Sequence, residues 1–204
     1  MTTTSRAAPS RGPRTARDST REGEILTAAA RIFREKGYHG TSVRDIAEAV
    51  GLLKGSLYHY IRSKEELLAR LFEGSLGDAI VELEAIAARD ATATDRLRDM
   101  VRVYVMSVTA NLDAVGIYLR EWRSLPAPEI ARVRARRRAM RRLFEDVIAE
   151  GIKRRELSVS DAKIAALAII GMCNWTYEWY RPRGWLTPTA LADELAERAV
   201  ASVT

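Results

Sequence analysis

Thr41-Ser-Val-Arg-Asp-Ile-Ala-Glu-Ala-Val-Gly51-Leu-Leu-Lys54-Gly55-Ser56-Leu57-Tyr58-His59-Tyr60-Ile61-Arg62-Ser63-Lys64-Glu65-Glu66 is the most informative stretch of this chain. Val43, Ile46, Ala47 and Val50 recur at helical spacing, behind a capping hydroxyl at Thr41 or Ser42. Gly51 supplies the left-handed residue that ends such a helix. A third short helix is expected over about residues 53–60. Ser63-Lys-Glu-Glu66 is a capping-box pattern that opens a fourth helix, with Leu67, Leu68, Leu71 and Phe72 on its apolar face. The segment therefore reads as helix, glycine turn, helix.

Lys54, Gly55 and Ser56 fall at the N-terminal end of the second helix of that pair. This end meets base edges when a recognition helix lies in a major groove. Gly55 permits close backbone approach, and a Ser56 hydroxyl both donates and accepts. Leu57 and Ile61 point inward as anchors. Tyr58, His59, Tyr60 and Lys64 supply hydroxyl, imidazole and ammonium groups along the rim, where phosphates run. Thr41, Ser42 and Arg44 cluster at the start of the preceding helix, a favourable place for another phosphate. Singly, each of these residues is as well explained by a half-buried aromatic or a solvated cation. Their arrangement points to DNA.

Working outward, the pattern stays helical and lacks hairpin turns and long alternating runs. Ser19-Thr-Arg-Glu22 resembles a capping box, followed by Ile25, Ala28, Ala29, Ile32 and Phe33 up to Lys36-Gly37. Downstream, helices are expected at about 75–89, 95–110, 112–124 (ending before Pro126), 129–152, 161–180 behind Ser160, and from Thr187 or Thr189 to about 202. The expected organisation is a disordered basic tail at 1–20, a helix-turn-helix domain at 21–66 and a larger helical bundle at 67–204. The two folded units share the fourth helix.

Composition narrows the function. In 204 residues there is one cysteine, Cys173, and there are two histidines, His39 and His59. That excludes an intramolecular disulfide and a Cys-based zinc site, and leaves no cluster for a metal centre. No phosphate-cradling glycine loop or nucleophile–base pair is visible, so neither enzyme activity nor a cofactor is expected. No apolar run reaches the ~18 residues of a membrane span, and no secretory leader is visible. The expected address is the cytoplasm. The net charge is +6, and Arg6, Arg11, Arg14, Arg17 and Arg21 carry most of the excess against Asp18 alone. This tail reads either as a solubilising leader or as a basic arm on DNA.

Gly-Tyr-x-x-Thr41-Ser-Val-Arg-Asp-Ile-Ala…Gly51…Lys54-Gly-Ser-Leu-Tyr-His-Tyr60…Ser63-Lys-Glu-Glu-Leu67 strongly resembles the DNA-binding domain of the tetracycline-repressor (TetR) family, over about residues 21–70. The resemblance implies an all-α protein: a three-helix DNA-binding domain on a helical ligand-binding and dimerisation bundle. It further implies a homodimer through the last two helices and a near-palindromic double-stranded operator. By this resemblance Lys54, Gly55, Ser56 and Tyr58 are groove readers, and Thr41, Ser42, Arg44, His59, Tyr60 and Lys64 are phosphate contacts. Leu53 replaces the usual capping Ser or Thr, and Ile61 replaces the usual Phe. Both changes bear on local helix stability.

In the second half, Gly171-Met-Cys-Asn-Trp175-Thr-Tyr-Glu-Trp179-Tyr180-Arg181-Pro182 resembles the penultimate helix of the acyl-CoA-responsive repressors of fatty-acid and steroid breakdown. Glu178 departs from the often basic character there. Trp175, Tyr177, Trp179 and Tyr180 circle this helix, so they serve either dimer interface and core or, for one or two of them, an apolar ligand cavity. Met100, Tyr104, Trp122, Met140 and Phe144 are further candidates for lining the site of a small hydrophobic effector, which the resemblance implies is an acyl-CoA. Arg132, Arg134, Arg136, Arg137, Arg138, Arg141 and Arg142 form either a solvated basic face or, at Arg137 and Arg138, a site for CoA phosphates. Two other readings stay open. One is a multidrug-sensing repressor of an efflux gene, using Asp113, Glu121 or Glu178 for cations. The other is a structural helical bundle that does not bind DNA.

Overall fold

The structure, a computed structural model, describes residues 16–204, with side chains described for 19–71 and 79–204. The basic tail reading at 1–15 lies outside the described residues. Among the described residues every regular element is a helix.

Helix α1 (Ala16–Lys36) starts earlier than Ser19-Glu22 suggests. Ala16 and Arg17 are good helix formers, so Ser19 lies inside the helix and the tail boundary at 20 falls in its second turn. Gly37 at φ 74 ends it. Helix α2 (Val43–Ala49) has a full capping box: the Ser42 side chain accepts from the Asp45 amide, and the Asp45 carboxylate accepts from the Ser42 amide at 2.8 Å. Helix α3 (Lys54–Leu57) is shorter than expected. Leu53 offers no side-chain cap, and the chain leaves as turns in which the His59 and Tyr60 amides donate to Ser56 and Leu57.

Helix α4 (Lys64–Ala87) is continuous where two helices were expected, so Gly74 and Gly77 do not break it. The boundary at 66/67 therefore falls within its first turn, and α4 is the shared element. Then follow α5 (Ala93–Ala110, capped by Thr92) and α6 (Leu112–Glu121) with a 3-10 turn at Trp122–Ser124. The α5 and α6 segments bend by 94° at Asn111. No single helix among the described residues is long and apolar enough to cross a membrane. Helix α7 (Ala127–Arg154) begins just after Pro126, and α8 (Ala162–Trp179) is capped by Asp161 rather than Ser160. Helix α9 (Pro188–Ala201) is capped by Thr187.

Two apolar clusters organise the molecule. The bundle cluster joins α5, its most extensive partner α9, and α4, α7 and α8 around Tyr104, Phe144, Leu97 and Ile148. Its tightest point is Gly151. A Cβ there would lie 2.6 Å from Leu157 Cδ1 and 2.8 Å from Ala93 Cβ. The second cluster holds the N-terminal domain (Ile25, Phe33, Ile46, Leu57, Ile61, Leu67) and also Ile117, Tyr118, Trp122, Leu125 and Val133 from the bundle side. The head thus sits on α6 and the start of α7 through shared buried apolar surface.

Candidate DNA interface and effector region

Leu57 and Ile61 are completely buried, as expected for anchors, so the remainder of α3 faces outward. Lys54, Gly55, Tyr58 and His59 are exposed and Ser56 is half-exposed, which brings the groove-reading candidates onto one free surface. Leu53 stands 79% exposed beside them. Ser42 and Arg44 are exposed at the start of α2, with Arg44 Nε 2.7 Å from Glu48. Tyr60 is half-buried, and its carbonyl accepts from Arg70 at 3.1 Å.

Two of the expected phosphate contacts have partners within the fold. Thr41 is buried, and its hydroxyl donates to the Gly37 carbonyl at 2.8 Å, closing the α1–α2 turn from within. Lys64 donates to the carbonyls of Tyr38 and Thr41 at 2.8 and 2.9 Å and lies 4.2 Å from the centre of the Tyr38 ring. Its ammonium fastens that turn to α4, with two of its three donors consumed. The Tyr38 phenol is raised well above its ordinary pKa by burial and by Glu65. Lys36 pairs with Asp45 at 2.5 Å, tying the end of α1 to α2.

The expected effector residues separate into three places. Met100, Tyr104, Met140 and Phe144 come together in the bundle core, with Tyr104 and Phe144 edge-to-face at 6.1 Å between ring centres. The Tyr104 hydroxyl donates to Asn174 Oδ1 at 2.7 Å. Nearby on α8, Cys173 is buried and burial pushes its thiol up to about 12, so it is an inert core residue. Thr176 is fully buried, and its hydroxyl has no hydrogen-bond partner among the described residues. Trp122 belongs instead to the cluster beneath the head, where Arg137 sits 5.3 Å from its ring and 5.8 Å from that of Tyr118. Arg138 is exposed on α7. Trp175 and Trp179 line no core: they are 60% and 41% exposed on α8. The aromatic residues of α8 circle the helix, so burying Thr176, Cys173 and Tyr180 necessarily turns these two outward.

One cleft, of about 970 Å³, opens between the head and the bundle. Of the α8 aromatics weighed for a ligand cavity, Tyr177 and Tyr180 line it; Met100, Tyr104, Trp122, Arg137, Arg138, Met140, Phe144, Trp175 and Trp179 do not. Its walls include Arg31 and Arg34 of α1, Arg70 of α4, Asp113 and Arg120 of α6, and Tyr177 and Arg181 at the end of α8. No single sequence pattern marks it, because its parts, from Leu26 to Pro182, are far apart in the chain and meet only when the head docks.

Residues 25–71 match the family model described as bacterial regulatory proteins of the tetR family, and residues 90–203 match the tetracyclin repressor-like C-terminal domain. The chain belongs to the TetR family of transcriptional regulators. It is similar to the HTH-type transcriptional repressor KstR2 of Mycobacterium tuberculosis, 30% identical over 192 residues that cover 91% of this chain and 94% of that one. A solved structure of that ketosteroid regulator superposes with a TM-score of 0.84, covering 90% of this chain and 95% of the other at 30% identity. AibR, solved in complex with isovaleryl coenzyme A and operator DNA, superposes with a TM-score of 0.76 at 28% identity, covering 89% and 97%. The fatty acid metabolism regulator protein of Bacillus subtilis is 24% identical over 75% of this chain and 79% of its own length.

As a TetR-family protein this is a DNA-binding regulator and not an enzyme. Among the described residues no group of three or more His, Cys, Asp or Glu side chains could hold a metal ion. A purely structural bundle is set aside by the match over residues 25–71.

Proposed function

We propose that this TetR-family regulator is a homodimeric repressor, released from its operator by an apolar thioester effector of the acyl-CoA class. The observation that carries the effector reading is the bundle core around Thr176. A fully buried hydroxyl without a partner costs about 1–3 kcal/mol. Its neighbour along α8, Cys173, belongs to the bundle core that also holds the adaptable side chains of Met100 and Met140. A thioester carbonyl supplies the acceptor that this hydroxyl lacks, and the acyl chain replaces side-chain contacts in the core. AibR, solved with isovaleryl coenzyme A, supports this ligand class, and the ketosteroid and fatty acid metabolism regulators support a lipid-derived effector.

The multidrug reading is weaker. Asp113 is paired with Arg34, Glu121 contacts His39 at 3.6 Å, and Glu178 is exposed. None of the three is a bare carboxylate in an apolar pocket.

The dimer is assigned to α8 and α9. Ile164, Leu167, Ala168, Gly171, Trp175 and Trp179 form an exposed stripe along α8. A Cβ at Gly171 would meet nothing within 4 Å, which leaves room for a second helix. In the mechanism, the effector repacks the bundle core, which α4 enters through Leu83 while its first turns, at Leu67, Leu68 and Leu71, pack in the head, and this changes the separation of the two recognition helices. It does so only through its differential affinity for the two arrangements.

Thermal unfolding with a panel of acyl-CoAs, free fatty acids, steroid-derived CoA esters and cationic drugs tests this reading. At ~100 times Kd a ligand adds about 2.7 kcal/mol, or about 5–10 °C at this size. A rise with CoA thioesters is expected. A rise with cationic drugs alone would overturn the effector class.

A further inference from the structure

The cleft between head and bundle has the volume of a full ligand site, at the upper end of the usual range. Its floor is apolar, with Leu26, Ala30, Leu71, Leu112 and the Tyr177 ring, and its rim carries five arginines against Asp113 and Glu178. We propose that this cleft holds the phosphorylated end of an amphipathic effector, such as the nucleotide portion of an acyl-CoA, clamped between the DNA-binding domain and the bundle. The identity of the ligand rests on the effector reading above. The chemistry of the site rests on the cleft itself.

The state of each arginine supports this. Arg34 pairs with Asp113, and Arg70 pairs with Glu22 and Glu66. The other three have capacity to spare. Arg120 Nε donates to the Gly116 carbonyl at 3.2 Å, and Arg181 donates to the carbonyls of Glu178 and Tyr180 at 3.0 Å each. Neither meets a carboxylate among the described residues. Arg31 has only a long contact to Glu35, at 3.4 Å. A guanidinium carries five donors, so most of those on Arg120 and Arg181 remain for a phosphate, whose oxygens match the fork bidentately.

The cleft wall is also tightly fitted. Arg120 lies over the Tyr177 ring at 5.8 Å, and Gly116 is needed beneath it because a Cβ there would sit 2.9 Å from Tyr177 Cδ2. Tyr180 lines the cleft and belongs to the bundle core as well, so the cleft backs onto the packed apolar interior where the acyl chain is placed. Arg137 and Arg138 of α7 do not line it, so the phosphates are assigned here rather than to the α7 arginines. Occupancy has a direct consequence for the head. Arg31, Arg34 and Arg70 belong to α1 and α4, whereas Arg120 and Arg181 belong to α6 and the end of α8. A polyanion bridging the two sets competes with Asp113 for Arg34 and resets the angle between head and bundle.

Calorimetric titration of the full-length protein tests this with free CoA, decanoyl-CoA and the decanoyl thioester of N-acetylcysteamine, which lacks the nucleotide. The variants are Arg120→Gln/Arg181→Gln and, on the opposite wall, Arg31→Gln, with Arg137→Gln/Arg138→Gln as comparator and circular dichroism to confirm folding. Losing a charge-assisted contact weakens binding about 10- to 100-fold. That loss is expected for CoA and decanoyl-CoA in the cleft variants, with the N-acetylcysteamine thioester and the comparator unchanged. Unaltered CoA affinity in folded cleft variants, or loss in the comparator alone, overturns the cleft assignment. If decanoyl-CoA still releases operator from the wild type in that case, the effector reading stands without it. CoA binding that depends on the cleft but never releases operator upholds the cleft and overturns the effector reading. No binding of either CoA species by the wild type overturns both.

Discussion

Arg34 on α1 and Asp113 on α6 face each other at 3.2 Å across the joint between the DNA-binding domain and the bundle. Both are partly exposed, so the pair contributes about 0–1 kcal/mol to stability. Its effect lies in where it sits, as a polar strut beside the apolar seat formed by Ile117, Tyr118 and Trp122. Breaking it with Arg34→Asp or Asp113→Arg is expected to leave the melting temperature within a few degrees of wild type. Each single change shifts the effector concentration needed for operator release, and the charge-swapped double variant restores it. If both single variants and the double variant release at one midpoint, the strut plays no part in coupling.

Lys64 separates a structural role from a DNA-contacting one. Lys64→Met removes charged donors from two carbonyls, each bond of this kind contributing about 1.5–3 kcal/mol. For the two bonds together, at about 2–4 °C per kcal/mol in a chain of this size, the melting temperature falls by about 6–24 °C. Chemical or thermal denaturation measures it directly. A variant of wild-type stability whose salt slope for operator binding is shallower by about one would restore Lys64 to the phosphate contacts.

Lys54 and Ser56, by contrast, stand free on α3. Lys54→Ala and Ser56→Ala are expected to leave stability within about 0.5 kcal/mol. Each is expected to weaken operator binding by about 1–3 kcal/mol, more on the cognate operator than on unrelated DNA. Equal loss on both DNAs would make them backbone contacts and not readers.

The helix order, the turn between α2 and α3 and the anchors Leu57 and Ile61 were legible in the sequence, because each rests on local signals: capping hydroxyls, glycines and apolar spacing. The partners that the sequence did not reveal share one cause. Thr41 and Lys64 carry donors that suit phosphate as well as they suit a nearby carbonyl, and only the fold shows the carbonyls of Gly37, Tyr38 and Thr41 turned toward them. Two helices were expected where α4 runs unbroken; Gly74 and Gly77 each cost a helix about 1 kcal/mol, which packing on α5, α6 and α7 overrides. Trp175 and Trp179 were legible as aromatics of an interface, a core or a cavity, and their exposure on α8 takes them out of the core. The cleft was invisible, since no local pattern relates Arg31 to Arg181.

Acid stability follows from the carboxylates that fasten helix starts. A side-chain hydrogen bond from Lys36, then bonds from Ser42, hold Asp45 well below the ordinary carboxylate range. Glu150 is lowered chiefly by Arg96, and Glu65 by its own backbone and Ser63. Depressed folded-state values mean that this stability is fully present above the unfolded carboxylate pKa and is lost as pH falls through the folded values. Thermal unfolding is therefore expected to be insensitive to these groups near neutrality and to decline below about pH 4. Asp45→Asn lowers the neutral-pH melting temperature and flattens that acid decline. An acid limb unchanged in this variant would contradict the role given to the α2 capping box.

The exposed α8 stripe is the proposed dimer face. Trp175→Glu places a charge where an apolar ring is 60% exposed in the single chain, so the monomer loses little. Sedimentation or light scattering is expected to show the wild type as a dimer and the variant as a monomer that keeps its helical content. A dimer in both would move the interface away from Trp175.

Fluorescence anisotropy of labelled operator DNA, titrated with the protein and then with decanoyl-CoA, decanoic acid and a cationic dye at constant salt, bears most directly on the central claim. The account predicts release by decanoyl-CoA at concentrations where the free acid and the dye leave the complex intact. Salt-sensitive operator binding that none of the three disturbs, or that only the dye disturbs, would contradict an acyl-CoA-responsive repressor while leaving a DNA-binding TetR-family protein.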